Sequence, residues 1–167
     1  MKYAINKIII LSLLNSFIWF GSSGQDNIEM QIKEIKAEYE KINKDTAKYK
    51  MVQSDVFGQS SEGGVLKKYY NGNVLRKAIL TLFGETGQST SEYYFLNGEL
   101  IFEFDTELFY KSPLYMGKVE IKSQEETKFY FKNQRLISWI GNDGNMMDGA
   151  LYPEKEEELL DFLKIIK

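Results

Sequence analysis

One short pattern occurs three times in this chain and constrains its fold more than any other feature. The copies are Tyr69-Tyr70-Asn71-Gly72-Asn73-Val74-Leu75, Tyr94-Phe95-Leu96-Asn97-Gly98-Glu99-Leu100 and Tyr130-Phe131-Lys132-Asn133-Gln134-Arg135-Leu136. Each reads Tyr, a second aromatic, four residues holding Asn with Gly or Gln, then Leu. Asn and Gly accept the positive φ of a two-residue type I′ turn, whose twist matches that of paired strands, so each copy predicts a β-hairpin. With turns at Gly72-Asn73, Asn97-Gly98 and Asn133-Gln134, Tyr70 faces Leu75, Phe95 faces Leu100 and Phe131 faces Leu136 as cross-strand pairs on one side of a sheet. The copies start 25 and 36 residues apart, too unevenly for a solenoid. A meander of hairpins is the expectation.

The flanking segments complete the architecture. From residue 26 to 46, Ile28, Ile32, Ile35, Tyr39 and Ile42 recur at alternating spacings of four and three, one apolar stripe on a helix. Asp26 with Glu29 resembles a capping box at its start. β-Rich runs fill residues 48–140, and Gly84-Glu85-Thr86-Gly87 should join a strand over Leu75–Phe83 to one over Ser89–Phe95. After Pro153, an acidic run from Glu154 to Glu158 opens a helix that ends in Lys164 and Lys167, charges that complement the helix dipole. The fold class is α+β: an N-terminal helix packed on an antiparallel β-meander of six to eight strands, with a C-terminal helix over 153–166.

Residues 1–24 have a different character. Lys2 and Lys7 flank an apolar run from Ile8 to Phe20, followed by Gly21-Ser22-Ser23-Gly24, the pattern of a secretory signal peptide with small residues before the cut. This run of 13 residues falls short of the ~20 needed to span a bilayer as a helix. The expected product is a secreted or periplasmic single domain, residues 25–167, with no membrane span after cleavage. Lacking cysteine, such a domain depends on its core instead of disulfides.

Composition excludes several chemistries. Without Cys or His there is no thiol nucleophile, thiolate metal site, imidazole ligand or Ser-His pair. A net charge of -3 runs against a nucleic-acid surface, which needs clustered Lys and Arg. No phosphate loop, GxSxG elbow or SxxK motif occurs. The Asn142-Asp143-Gly144-Asn145 turn with Asp148 offers oxygens that calcium favours, but lacks EF-hand spacing, and tight turns use the same residues. No metal or cofactor is expected.

Period-two alternation sorts the hairpins into two faces. One carries Leu66, Tyr70, Leu75, Ile79, Tyr93, Phe95, Leu100, Phe102, Phe104, Phe129, Phe131, Leu136 and Ile140, a core face with the N-terminal helix as its lid. The other carries Tyr69, Tyr94, Ile101, Tyr130, Ile137 and Trp139 among Lys67, Arg76, Glu92, Glu103 and Lys128. Tyr and Trp with charges make a binding surface, so Tyr69, Tyr94, Tyr130, Trp139, Arg76, Glu92 and Glu103 are the candidate binding residues. On the same alternation Glu92 and Glu103 lie opposite each other, the paired acids that a glycosidase uses.

The repeat resembles the Tyr-Tyr-x-Asn-Gly-x-Leu units of MORN-variant repeat proteins, and the layout is similar to small uncharacterised exported bacterial proteins with one helix and an aromatic hairpin meander. The resemblance spans only the three seven-residue copies, the last of which has Asn133-Gln134 in place of Asn-Gly. It implies an interaction role and no catalytic residues. The functional expectation is a non-enzymatic binding or inhibitor-like module whose aromatic face takes a protein, peptide or sugar. The alternatives are a small hydrolase around Glu92 and Glu103, and an envelope protein that associates through Ile28, Ile35 and Ile42.

Overall fold

All three repeats fold as hairpins within one antiparallel sheet. The computed structural model describes residues 23–166; the apolar run Ile8–Phe20, the rest of the expected leader up to Ser22, and Lys167 lie outside them. Seven strands follow one another in space as in sequence: β1 (Lys50–Val56), β2 (Gly64–Asn71), β3 (Val74–Gly84), β4 (Gly87–Leu96), β5 (Glu99–Tyr110), β6 (Ile121–Lys132) and β7 (Arg135–Ile140). Helix α1 (Ser23–Asp45) precedes the sheet and α2 (Tyr152–Ile166) follows it. Because α1 begins at Ser23, Asp26 and Glu29 lie inside the helix and do not form its cap.

The cross-strand pairs at the turns are those the repeat predicts: Tyr70 with Leu75, Phe95 with Leu100, Phe131 with Leu136. Asn97 and Gly98 have φ of 54° and 82°, and Asn133 and Gln134 have 51° and 61°, as a type I′ turn requires. The first turn differs from expectation. Only Gly72, at φ 59°, is in the positive region, the mark of a type II′ turn.

One step beyond each pair the register slips. Tyr69 pairs with Lys77, Tyr94 with Phe102 and Tyr130 with Ser138, which leaves Arg76, Ile101 and Ile137 as the extra residue of a β-bulge. Every residue beyond the bulge on that strand therefore faces the side opposite to the one that simple alternation assigns. Phe102, Phe104, Ile79 and Ile140, expected on the core face with Phe95, instead share a side with Tyr94 or Glu92; Trp139 and Glu103, expected beside the tyrosines, share a side with Phe129 and Tyr93.

Each face has its own helix. On one, Val56, Leu66, Ala78, Leu80, Tyr93, Phe95, Leu100, Phe129, Phe131 and Leu136 pack with Leu159, Leu163 and Ile166 of α2. On the other, Tyr94, Ile101, Phe102 and Tyr130 pack with Ile35 and Ile42 of α1. The N-terminal helix thus covers the tyrosine face, not the face expected, and the C-terminal helix takes the other. Both helices are amphipathic, so pattern alone did not decide between them. Of the isoleucines expected to mediate association, Ile35 and Ile42 are buried against the sheet and Ile28 is half-buried. Among the described residues, no helix is long and apolar enough to cross a membrane.

Gln134 holds a positive φ without glycine's freedom, at a cost of roughly 1 kcal/mol. Gln134→Gly should therefore raise the urea midpoint by the equivalent of about 1 kcal/mol, while Gly98→Val should lower it by a similar amount or more. Equilibrium unfolding followed by circular dichroism reads both changes, and equal midpoints for the two variants would contradict the assigned turn geometry.

Candidate functional site

The tyrosines do align. Tyr69, Lys77, Tyr94, Phe102, Tyr130 and Ser138 form one continuous row across β2 to β7. The row is not open, because Tyr94 and Tyr130 are each only 2% exposed beneath α1. Tyr39 of α1 stacks on Phe102 with ring centroids 4.6 Å apart, and Phe102 lies 4.8 Å from Tyr130. Tyr69 is half-buried.

The charged candidates on this side hold the helix in place. Arg76 pairs with Glu38 of α1. The Lys77 ammonium donates to Asn43 Oδ1 at 2.7 Å, meets Glu92 Oε2 at 2.5 Å and lies 4.8 Å from the centre of the Tyr94 ring. The Tyr94 hydroxyl donates to Glu92 Oε2 at 2.6 Å and lies 3.0 Å from Asn43 Oδ1. Burial and the adjoining Glu92 carboxylate push this phenol well above its ordinary range. The Lys77 ammonium, the Glu92 carboxylate, the Tyr94 hydroxyl and the Asn43 amide oxygen are thus partnered with one another, which is how a buried polar network contributes stability, while the Arg76 Nε beside them is buried without a partner. Arg76, Glu92 and Tyr94 are therefore committed to the α1–sheet contact.

Trp139 lies on the opposite side. Its backbone N–H donates to the Tyr152 hydroxyl at 3.2 Å, and the Lys155 ammonium sits 5.4 Å from its ring centre. Nearby, Glu156 Oε2 accepts the Leu136 N–H of edge strand β7 at 2.6 Å, supplying a partner that no further strand provides. Trp139 thus forms the seat of α2 and lies far in function from the tyrosine row.

The expected pairing of Glu92 with Glu103 is also corrected. Glu92 pairs with Phe104 on the α1 side, while Glu103 pairs with Tyr93 on the α2 side, because the bulge at Ile101 inverts the strand between them. Glu103 instead heads a line of acids on β5. Glu103, Asp105 and Glu107 point the same way, opposite Tyr93, Ser91 and Ser89 of β4. These groups form the floor of a cavity of about 180 Å³, walled by Leu80 of β3 and by Leu159 and Phe162 of α2. Asp105 and Glu107 were not among the candidates. The Glu103-x-Asp105-x-Glu107 spacing was the available signal, and the wrong face assignment hid it.

The cavity floor is electrostatically unusual. Glu103 is 2% exposed, and among the described residues its Oε2 and the Oδ1 of Asp105 are buried without a hydrogen-bond partner. Burial is the main force raising the Glu103 carboxyl well above the ordinary carboxylate range, and the nearby Asp105 adds to it. Burial likewise lifts Asp105, to about 6, against the pull of the Ser91 hydroxyl and of Lys155. Carboxyls so placed keep their protons to higher pH than exposed ones and give them up when a positive group arrives.

Searches against known proteins bring no relative to this geometry: no family model, no curated protein and no solved structure matches the chain.

The raised carboxyls tie stability to pH. In the unfolded chain Asp105 ionises near 3.8, in the fold only near about 6. The stability it contributes is full below the first value and is lost as pH rises through the second. Asp105→Asn should unfold at the same urea concentration as the parent at pH 4 and be more stable by about 2 kcal/mol at pH 7.5. Paired urea titrations at the two pH values measure this, and a variant weaker than the parent at pH 7.5 would contradict the buried, unpartnered state of the carboxyl.

Proposed function

We propose that the chain is an exported, non-enzymatic binding module that takes its ligand in the trough between β3–β5 and α2. One observation carries this reading: two neighbouring acids, one of them almost fully buried, line a cavity with apolar walls, and each has an oxygen buried without a hydrogen-bond partner. Folded chains ordinarily partner such atoms, and exceptions concentrate where something else binds. The tyrosine row, the first candidate surface, is occupied by α1, which moves the reading to the other face. Lys2, Lys7 and the apolar run that follows support export. The resemblance of the hairpin repeat to MORN-variant units supports an interaction role.

Heteronuclear NMR of the isotope-labelled protein tests the location. Titration with small sugars, with acidic dipeptides and with basic dipeptides should give, for at least one class, saturable shifts centred on Ser89, Ser91, Asp105 and Phe162. Shifts centred on Tyr69, Phe104 and Lys128, on the α1 side, would overturn the assignment, as would chemical conversion of a probe during the titration.

A further inference from the structure

The lining of the trough also specifies a ligand chemistry. Around Glu103 and Asp105 the charges are mostly of one sign: Glu107 on β5, Glu125 opposite it on β6, and Glu158 on α2. The cation nearest them, Lys155, pairs with Glu158 Oε2 at 2.7 Å and lies over the Trp139 ring, so it offsets one of these acids and pulls on Glu103 and Asp105 without forming an ion pair with either. Tyr93 on β4 is neutral across the accessible range because burial raises its phenol, and β3 contributes only the leucines at 80 and 82 to the lining. Among the described residues, Glu103, Asp105 and Glu107 have no ion pair, although the chain forms ten elsewhere. An anionic guest would meet four carboxyls in the lining, those of Glu103, Asp105, Glu107 and Glu158. A neutral guest would leave their mutual repulsion unrelieved. A metal ion is poorly served, since no three acids among the described residues converge closely enough to hold one.

We propose that the trough binds a single organic cation, an ammonium or guanidinium on a short aliphatic stem, with its charged head against Glu103 and Asp105 and its stem along Leu80, Leu159 and Phe162. This rests on the reading of the trough as the binding site. The N–H groups of such a head supply the donors that Glu103 Oε2 and Asp105 Oδ1 lack, and charge-assisted bonds of this kind are the stronger sort. The apolar walls accept the methylenes, as protein surfaces accept the stems of lysine and arginine. Binding exchanges a proton for the guest: the cation favours the ionised carboxyls, so protons leave as it enters. Affinity therefore rises with pH through the region where Asp105 titrates, near about 6. The same head group reaches the trough from two sources, a free amine or the side chain of a basic residue in a peptide.

The experiment is isothermal titration of the purified full chain with n-butylammonium, n-butylguanidinium and an end-blocked Gly-Lys-Gly peptide, with n-butanol and butyrate as neutral and anionic controls. The expected result is saturable binding of the cations alone, about tenfold tighter at pH 7.5 than at pH 5. Near pH 6 the heat should differ between phosphate and Tris, because released protons are taken up by the buffer. Asp105→Asn and Glu103→Gln should each weaken binding at least tenfold while resisting urea no less than the parent at pH 7.5, a combination that loss of folding does not produce. Tighter binding of the peptide assigns the guest to a basic side chain, and tighter binding of butylammonium assigns it to a free amine. Cation binding that ignores pH, or that survives both substitutions, overturns the proposal. If a sugar or an anionic probe shifts the trough resonances and no cation does, the ligand class fails while the trough stands. If no probe of any class shifts them, both fail together.

Discussion

The fold depends on one inserted residue in each of the three repeat hairpins. After each of these turns the chain makes two ordinary pairs and then a bulge, at Arg76, Ile101 and Ile137. A two-residue turn fixes register tightly, and an added residue reverses which face every later side chain occupies. This reversal gives Ile101 and Phe102 together to α1, delivers Trp139 to α2, and sends Glu103 with Asp105 into an otherwise apolar layer. Without the bulge at Ile101, both acids would lie on the α1 side with the lysine and tyrosine network.

The two faces show what the same chemistry does with partners and without them. Beneath α1, Glu92 meets the Lys77 ammonium and the Tyr94 hydroxyl, and Asn43 completes the set. That junction is closed. Beneath α2, Glu103 is buried as deeply as Tyr94 but has an oxygen with nothing to accept from. An uncompensated buried carboxyl raises the free energy of the fold, and stability thresholds tolerate such costs where a site needs them. The sheet thus keeps one polar group for architecture and holds another in reserve.

Much of this architecture was legible before any coordinates. The turns, the three aromatic–leucine pairs, both helices and the common row of Tyr69, Tyr94 and Tyr130 follow from residue types whose physics is local: positive φ, helical periodicity, cross-strand distance. The bulges are not local in that sense. Their one trace is that Leu100-Ile101-Phe102 and Leu136-Ile137 break the alternation just after a turn, a pattern that an edge or a doubly covered strand also produces. With the faces inverted beyond Ile101, the Glu92–Glu103 pair looked possible and the true neighbours of Glu103 were hidden. Which helix covers which face depends on the same inversion.

Because every strand pairs only with its neighbours in the chain, no ladder has to wait for a distant segment to arrive. Short loops make such a sheet quick to assemble from any of its hairpins, and the two helices, one at each flank of the sheet, close over it afterwards. The order of assembly is also an order of release. The C-terminal helix can lift from the sheet without breaking a single strand ladder, as an opening of lower free energy than global unfolding. Such an excursion bares Glu103 to water, so the chain has a route by which its most secluded acid exchanges protons with solvent while the sheet stays intact.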